Sequence, residues 1–149
     1  MVGTLDEQEM NNFLKKHCFA HLSCRSGDQL YLVPISYVFE GDCIYGQTKA
    51  GLKIDMMRKN PDVCVQVEKI QNIAEWTSVI SWGKFEELHG QPAIDAMAKL
   101  IDHLGPQIEE LGTSRTSRDI TPPKSDGKPQ TDIVYCIHIT EMTGRFERP

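Results

Sequence analysis

Residues 33–61 constrain this chain more than any other stretch, because they read in order as strand, tight turn, strand and a short helix with a lysine in its first turn. Gly41-Asp42 separates two runs rich in β-branched and aromatic residues, which is the pattern of a hairpin. The second strand ends in Gln47, Thr48 and Lys49, and Ala50-Gly51 leads into a helix carrying Lys53. Backbone N–H groups left unpaired at a helix start, with a dipole charge of about +0.5 there, favour an anion. Ile54 and Met57 give this helix one apolar stripe, and Asn60-Pro61 stops it.

The flanking sequence continues the same grammar. Thr4 and Glu7 have capping-box spacing ahead of Met10, Phe13 and Leu14, so a helix is expected over roughly residues 5–16. Strands are expected over 18–25 and 30–39, on either side of a Ser-Gly-Asp-Gln turn. Both faces of the second are largely apolar, which suits a strand covered by barrel interior plus helix or by a subunit partner. Pro34 cannot donate to a ladder, so it belongs at an edge, a bulge or, our preferred reading, a ligand-facing gap. Val63, Val65 and Val67 alternate with polar residues, and 78–88 is also strand-like.

From Gln91 the period becomes helical, with Ile94, Met97, Ala98, Ile101 and Leu104 as the stripe and Gly105-Pro106 as a break. Residues 112–131 form a long polar loop, and Ile133, Tyr135, Ile137 and Ile139 alternate within a last strand over 132–140. About six strands with short helices, joined mostly by hairpin-length connections, suggest a single domain over 1–149: a mainly β (α+β) antiparallel barrel with helices packed outside.

The net charge of −5 excludes the basic surface that non-specific binding to nucleic acid or anionic membrane requires. No apolar run approaches the ~20 residues of a membrane span, and the acidic N-terminus lacks the character of a signal peptide. The five cysteines, Cys18, Cys24, Cys43, Cys64 and Cys136, contain no Cys-x-x-Cys and read as reduced, mostly buried thiols of a cytoplasmic protein. His17 and His21 are four apart, but no acidic or cysteine partner completes a set, and no metal is expected. Motifs for nucleophilic catalysis or nucleotide loops are missing, so the catalytic residues are unknown.

Several segments together resemble the flavin-binding split-barrel family related to pyridoxamine 5′-phosphate oxidase, and most of all its nitroimidazole-resistance branch. They are Val33-Pro34-Ile35-Ser36-Tyr37, Ile44-Tyr45-Gly46-Gln47-Thr48, Gly51-Leu52-Lys53, Asn60-Pro61 and Ala74-Glu75-Trp76-Thr77-Ser78-Val79. The resemblance runs from about residue 5 to residue 105. It implies a six-stranded antiparallel split β-barrel that binds FMN, with FAD or a deazaflavin as alternatives, in a homodimer with flavin at the subunit interface. The implied cofactor contacts are Pro34, Ile35, Ser36, Tyr37, Gln47, Thr48, Lys49, Lys53, Trp76 and Ser78, with Trp76 capping the ring from the other subunit.

The implied activity passes hydride or electrons through flavin between a reduced nicotinamide and a small acceptor. A non-catalytic flavin-binding, storage or sensing module and a nitroaromatic reductase are the alternatives. Leu52 stands where the motif usually has arginine, and Gln47 where the branch often has histidine. Pyridoxamine 5′-phosphate oxidase activity itself is not expected, because the chain ends without that enzyme's arginine-rich segment and offers Arg145 and Arg148 in its place.

Overall fold

The period-two runs pair into one antiparallel sheet of eight strands. In the computed structural model, which describes residues 1–111 and 132–149, the strands are β1 (Val2–Thr4), β2 (Phe19–Ser26), β3 (Gln29–Ser36), β4 (Val38–Glu40), β5 (Cys43–Lys49), β6 (Asp62–Asn72), β7 (Glu75–Leu88) and β8 (Asp132–Glu147). Three helices accompany them: α1 (Glu7–Lys16), α2 (Leu52–Lys59) and α3 (Gly90–Leu111). The sheet order is β3-β2-β6-β7-β8-β5-β4, with β1 added on β8. The curled sheet leaves β3 and β5 in contact without a hydrogen-bonded ladder between them, which makes the barrel a split one.

The interior is lined by Leu22, Ile44, Val65, Val79, Tyr135 and Ile137, each at most 1% exposed. Leu14 of α1 and Ile54 of α2 plug the same core. A second, smaller core lies outside the sheet, where Ala96, Met97, Leu100 and Leu104 of α3 cover Val38 and Val134. Gly41 takes a positive φ of 63° in the tight turn between β4 and β5, a conformation that costs glycine little. Gly46 serves packing instead: a side chain there would collide with the fully buried ring of Tyr135.

Among the described residues eight strands stand in place of the expected six, for two local reasons. Three residues of β1 pair with the chain's end, Val2 opposite Glu147, too short a run to show a period. The expected strand over 30–39 bends at Tyr37 and becomes β3 and β4. The last strand also runs seven residues further than its alternation suggested. Between Trp82 and Gly83 the β7–β8 register shifts, because Thr140 is an extra residue on β8. Inward positions therefore pass from Ile137 and Ile139 to Met142, Gly144 and Phe146, and the parity rule breaks there.

The helices carry three further corrections. The α1 cap is Asp6 with Glu9, each side chain bonding the other's backbone N–H, and Thr4 is spent on β1. Pro106 lies inside α3 rather than ending it. The buried stripe of α3 also turns away from Ile94 and Ala98, which stay exposed, toward Ala96 and Leu100. The polar loop expected over 112–131 lies outside the described residues. No helix among the described residues is long and apolar enough to cross a membrane.

Candidate functional site

The start of α2 offers backbone donors that lie ahead of its own hydrogen-bond ladder. Its first intrahelical bond runs from Asp55 N to Gly51 O at 3.1 Å, so the N–H groups of Leu52, Lys53 and Ile54 lie before the ladder begins. No side chain among the described residues caps this end. Lys53 in the first turn is half-buried beside Cys24 of β2. Burial lowers its ammonium pKa from the ordinary value, and the Cys24 thiol pulls weakly the other way. Among the described residues Lys53 has no carboxylate within ion-pair distance. A half-buried cation beside open N–H groups is a place where an anion gains from both.

The strand end preceding α2 is the polar rim of the split. Beyond Tyr45, β5 pairs with β8 on one side and has no β4 residue on the other, so Gly46, Gln47, Thr48 and Lys49 border the gap toward β3. Thr48 Oγ1 donates to Lys49 O at 3.3 Å, and Lys49 is exposed. Gln47 is half-buried and engaged with its surroundings. Across the gap, Pro34 sits exposed on the edge strand β3, opposite His21, and Ser36 is half-buried opposite Phe19.

Two of the expected residues turn inward. The Ile35 side chain is core, and Tyr37 is completely buried with its hydroxyl donating to Leu14 O at 2.8 Å. Burial first, and the nearby Cys18 second, push the Tyr37 phenol well above its ordinary pKa, so it is a neutral donor closing the end of α1. These two side chains face the core, and the Tyr37 backbone N–H is itself taken by Cys18 O at 2.9 Å.

Trp76 and Ser78 occupy a different region. They line a shallow pocket of about 420 Å³ on the outer sheet face with Ile80, Thr143 and Arg145. Trp76 Nε1 donates to Glu147 at 3.0 Å, and Ser78 Oγ accepts from Gln66 at 3.0 Å. The register separates this pocket from Lys53. Cys24, beside Lys53, pairs with Val63, whereas Trp76 pairs with Ile70, seven positions along β6 and so about 23 Å away at ~3.3 Å per residue. One chain therefore does not bring Trp76 and Lys53 to a common point. The sequence reading considered Arg145 only as part of the chain's end; its place opposite Ser78 went unread because the Thr140 bulge hides the continuation of β8.

The same face is rich in exposed apolar side chains. Phe19, Leu30 and Leu32 are 61–73% exposed, and the register puts them on the side of the sheet that carries Ile80 and Trp82. Elsewhere on the outer surface Cys43, Cys136 and His138 converge, a grouping that the reading of His17 and His21 did not address, since antiparallel pairing sets Cys43 opposite His138.

Comparison with known proteins places this geometry. A family model for pyridoxamine 5′-phosphate oxidase matches residues 6–146. An uncharacterized protein of Rhizobium meliloti is 30% identical over 145 residues, covering 97% of this chain and 94% of that protein. An FAD-binding protein of Mesorhizobium loti, solved crystallographically, matches with a TM-score of 0.79 at 25% identity over 100% of this chain and 98% of its own. A candidate 5-nitroimidazole antibiotic resistance protein of Bacteroides thetaiotaomicron shares the fold with a TM-score of 0.72 at 18% identity, over 98% of this chain and 87% of its own.

Proposed function

Because the chain belongs to the pyridoxamine 5′-phosphate oxidase family, we propose that it binds a flavin and acts as a flavin-dependent oxidoreductase, with FMN as the cofactor and FAD the alternative. The observation that carries this reading is the half-buried Lys53 ammonium beside the uncapped start of α2, without a carboxylate partner among the described residues. The residues fit a flavin phosphate. Lys53 and the first N–H groups of α2 would hold it, and Thr48 and Lys49 add a hydroxyl and a second cation at the strand end. Leu52, 46% exposed, contributes no fork, so the site rests on fewer charge-assisted bonds than one with arginine there. The backbone of Pro34, Ile35, Ser36 and Tyr37, with the Ser36 hydroxyl and the Gln47 amide, would run along the ring edge.

A bound flavin supplies hydride and electron transfer between a reduced nicotinamide and a small acceptor. The protein's part is to bind, orient and shield. We place the flavin at the interface of a homodimer, where Trp76 and Ser78 of the second copy complete the site. Two observations support that pairing: the ~23 Å along β6 between the register levels of Cys24, the neighbour of Lys53, and Trp76, and the exposed apolar side chains Phe19, Leu30 and Leu32 on the face that holds the Trp76 pocket. Gln47 in place of histidine favours a general electron-transfer role over nitroaromatic reduction. A flavin-storing or flavin-sensing module is the second reading: among the described residues the α2 start groups phosphate-binding donors with no carboxylate in ion-pair distance of Lys53.

The test is reconstitution with FMN and FAD, followed by absorbance, mass analysis of the released cofactor and NADH- or NADPH-driven reduction against free flavin. Yellow protein with turnover above the free cofactor is expected; yellow protein without turnover selects the storage reading, and colourless protein that takes up no flavin rejects both. Mixing Lys53→Met with Trp76→Ala chains tests the interface. Mixed dimers are expected to recover one intact site, and the absence of any recovery rejects the shared site.

A further inference from the structure

Away from the α2 start, three strands present sulfur, nitrogen and oxygen donors to one point. Cys43 of β5 pairs with His138 of β8, and Glu86 of β7 pairs with Cys136 of β8, so the four residues stand side by side on one outer face. His138 Nδ1 lies 3.4 Å from Cys43 Sγ, and its Nε2 lies 3.2 Å from Cys136 Sγ and 2.8 Å from Glu86 Oε2. One ligand atom from each of Cys43, Cys136 and His138 can be chosen so that all lie within 4.8 Å of one another. The flavin reading above uses none of these groups.

We propose that Cys43, Cys136 and His138 bind a thiophilic divalent metal ion, zinc being the type case, with Glu86 orienting the histidine. Two sulfurs and an imidazole nitrogen select zinc over magnesium or calcium, which take hard oxygen ligands. A tetrahedral zinc with Zn–S of about 2.3 Å and Zn–N of about 2.0–2.1 Å separates its S and N ligands by roughly 3.5 Å. The Cys43 Sγ–Nδ1 separation already matches that figure, while Cys136 Sγ stands nearer Nε2, so binding at Nδ1 turns the Cys136 side chain or the His138 ring toward the ion. With Nδ1 on the metal, Nε2–H donates to Glu86, the carboxylate–histidine arrangement that fixes the ring and its tautomer.

Strand positions hold ligands more rigidly than loops do, and here all three ligands come from paired strands. Cys136 forms the buried floor, Cys43 is half-buried and His138 is exposed, so an ion enters from the solvent side. Three protein ligands leave the fourth position to water or to a small molecule, the pattern of an open zinc site rather than a closed structural one.

The test takes the full chain, reduced and stripped with chelator, and titrates it with Zn²⁺ against a competing chromophoric chelator, then with Co²⁺. One zinc per chain and a sulfur-to-cobalt charge-transfer band of tetrahedral character are expected, with or without flavin. Glu86→Gln should weaken zinc by about 10–100-fold, and Cys43→Ser or His138→Ala by more. Cys18→Ser and Cys64→Ser serve as controls and should leave affinity unchanged. Cys43 and His138 are solvent-accessible, so these variants keep the test decisive even if Cys136→Ser fails to fold. Absence of the sulfur-to-cobalt band in the unsubstituted protein, or zinc affinity unaltered by Cys43→Ser, overturns the assignment.

Discussion

Replacing Lys53 with methionine isolates the phosphate contact, because methionine keeps an unbranched apolar side chain of similar reach and removes only the charge. A hydrogen bond to a charged group is worth about 1.5–3 kcal/mol, and the half-exposure of Lys53 places it toward the lower part of that range. At about 1.4 kcal/mol per decade, a loss of about 1.5–2 kcal/mol weakens FMN binding by roughly 10–30-fold. Riboflavin has the same ring and ribityl chain but no phosphate, so its affinity should stay within about a factor of two. The measurement is fluorescence titration of both flavins with both proteins at low and moderate salt.

A pH series adds a second readout. The folded protein releases the Lys53 proton below the unfolded value of about 10.5. The preference for FMN over riboflavin should therefore hold at neutral pH and fall as pH rises through the lowered value, earlier than for an exposed lysine. The same shift means that the unfolded chain binds the extra proton between the two values, so stability of the flavin-free protein rises with pH across that window. Below it the buried charge costs stability, and Lys53→Met without flavin should be at least as stable as the parent. An equal loss of FMN and riboflavin affinity, or none of either, refutes the phosphate assignment.

Three core substitutions separate folding from binding. Tyr37→Phe removes the bond to Leu14 O and should cost about 1–2 kcal/mol in denaturant unfolding, while flavin affinity stays unchanged because the side chain faces the core. Gly46→Ala drives a methyl group into the Tyr135 ring and should destabilise by about 1–3 kcal/mol in the same assay. The buried Ser81 hydroxyl has no hydrogen-bond partner among the described residues, so Ser81→Ala should leave thermal stability unchanged or raise it by up to about 1 kcal/mol; a clear loss would refute that expectation.

The sequence by itself determined the local pieces. The turn residues at Gly41-Asp42, the Val63, Val65 and Val67 alternation and the Lys53 helix start each depend on neighbours a few positions away, and each stands where it was read. Family membership was equally visible, since it rests on the order of such pieces. Only the tertiary structure decided what depends on partners distant in the chain. The Thr140 bulge reverses the parity of β8 and carries Arg145 to Ser78, a shift that no alternation rule signals. The α3 stripe settled on Ala96 and Leu100 because the sheet surface beneath it, not its own period, selects the buried face. Tyr37 went inward to meet Leu14, 23 residues away in sequence. Cys43 and His138, 95 residues apart, became neighbours through strand pairing. Register is a long-range property: it converts residues with no sequence proximity into a common site, and that conversion is absent from the chain until the sheet is assembled.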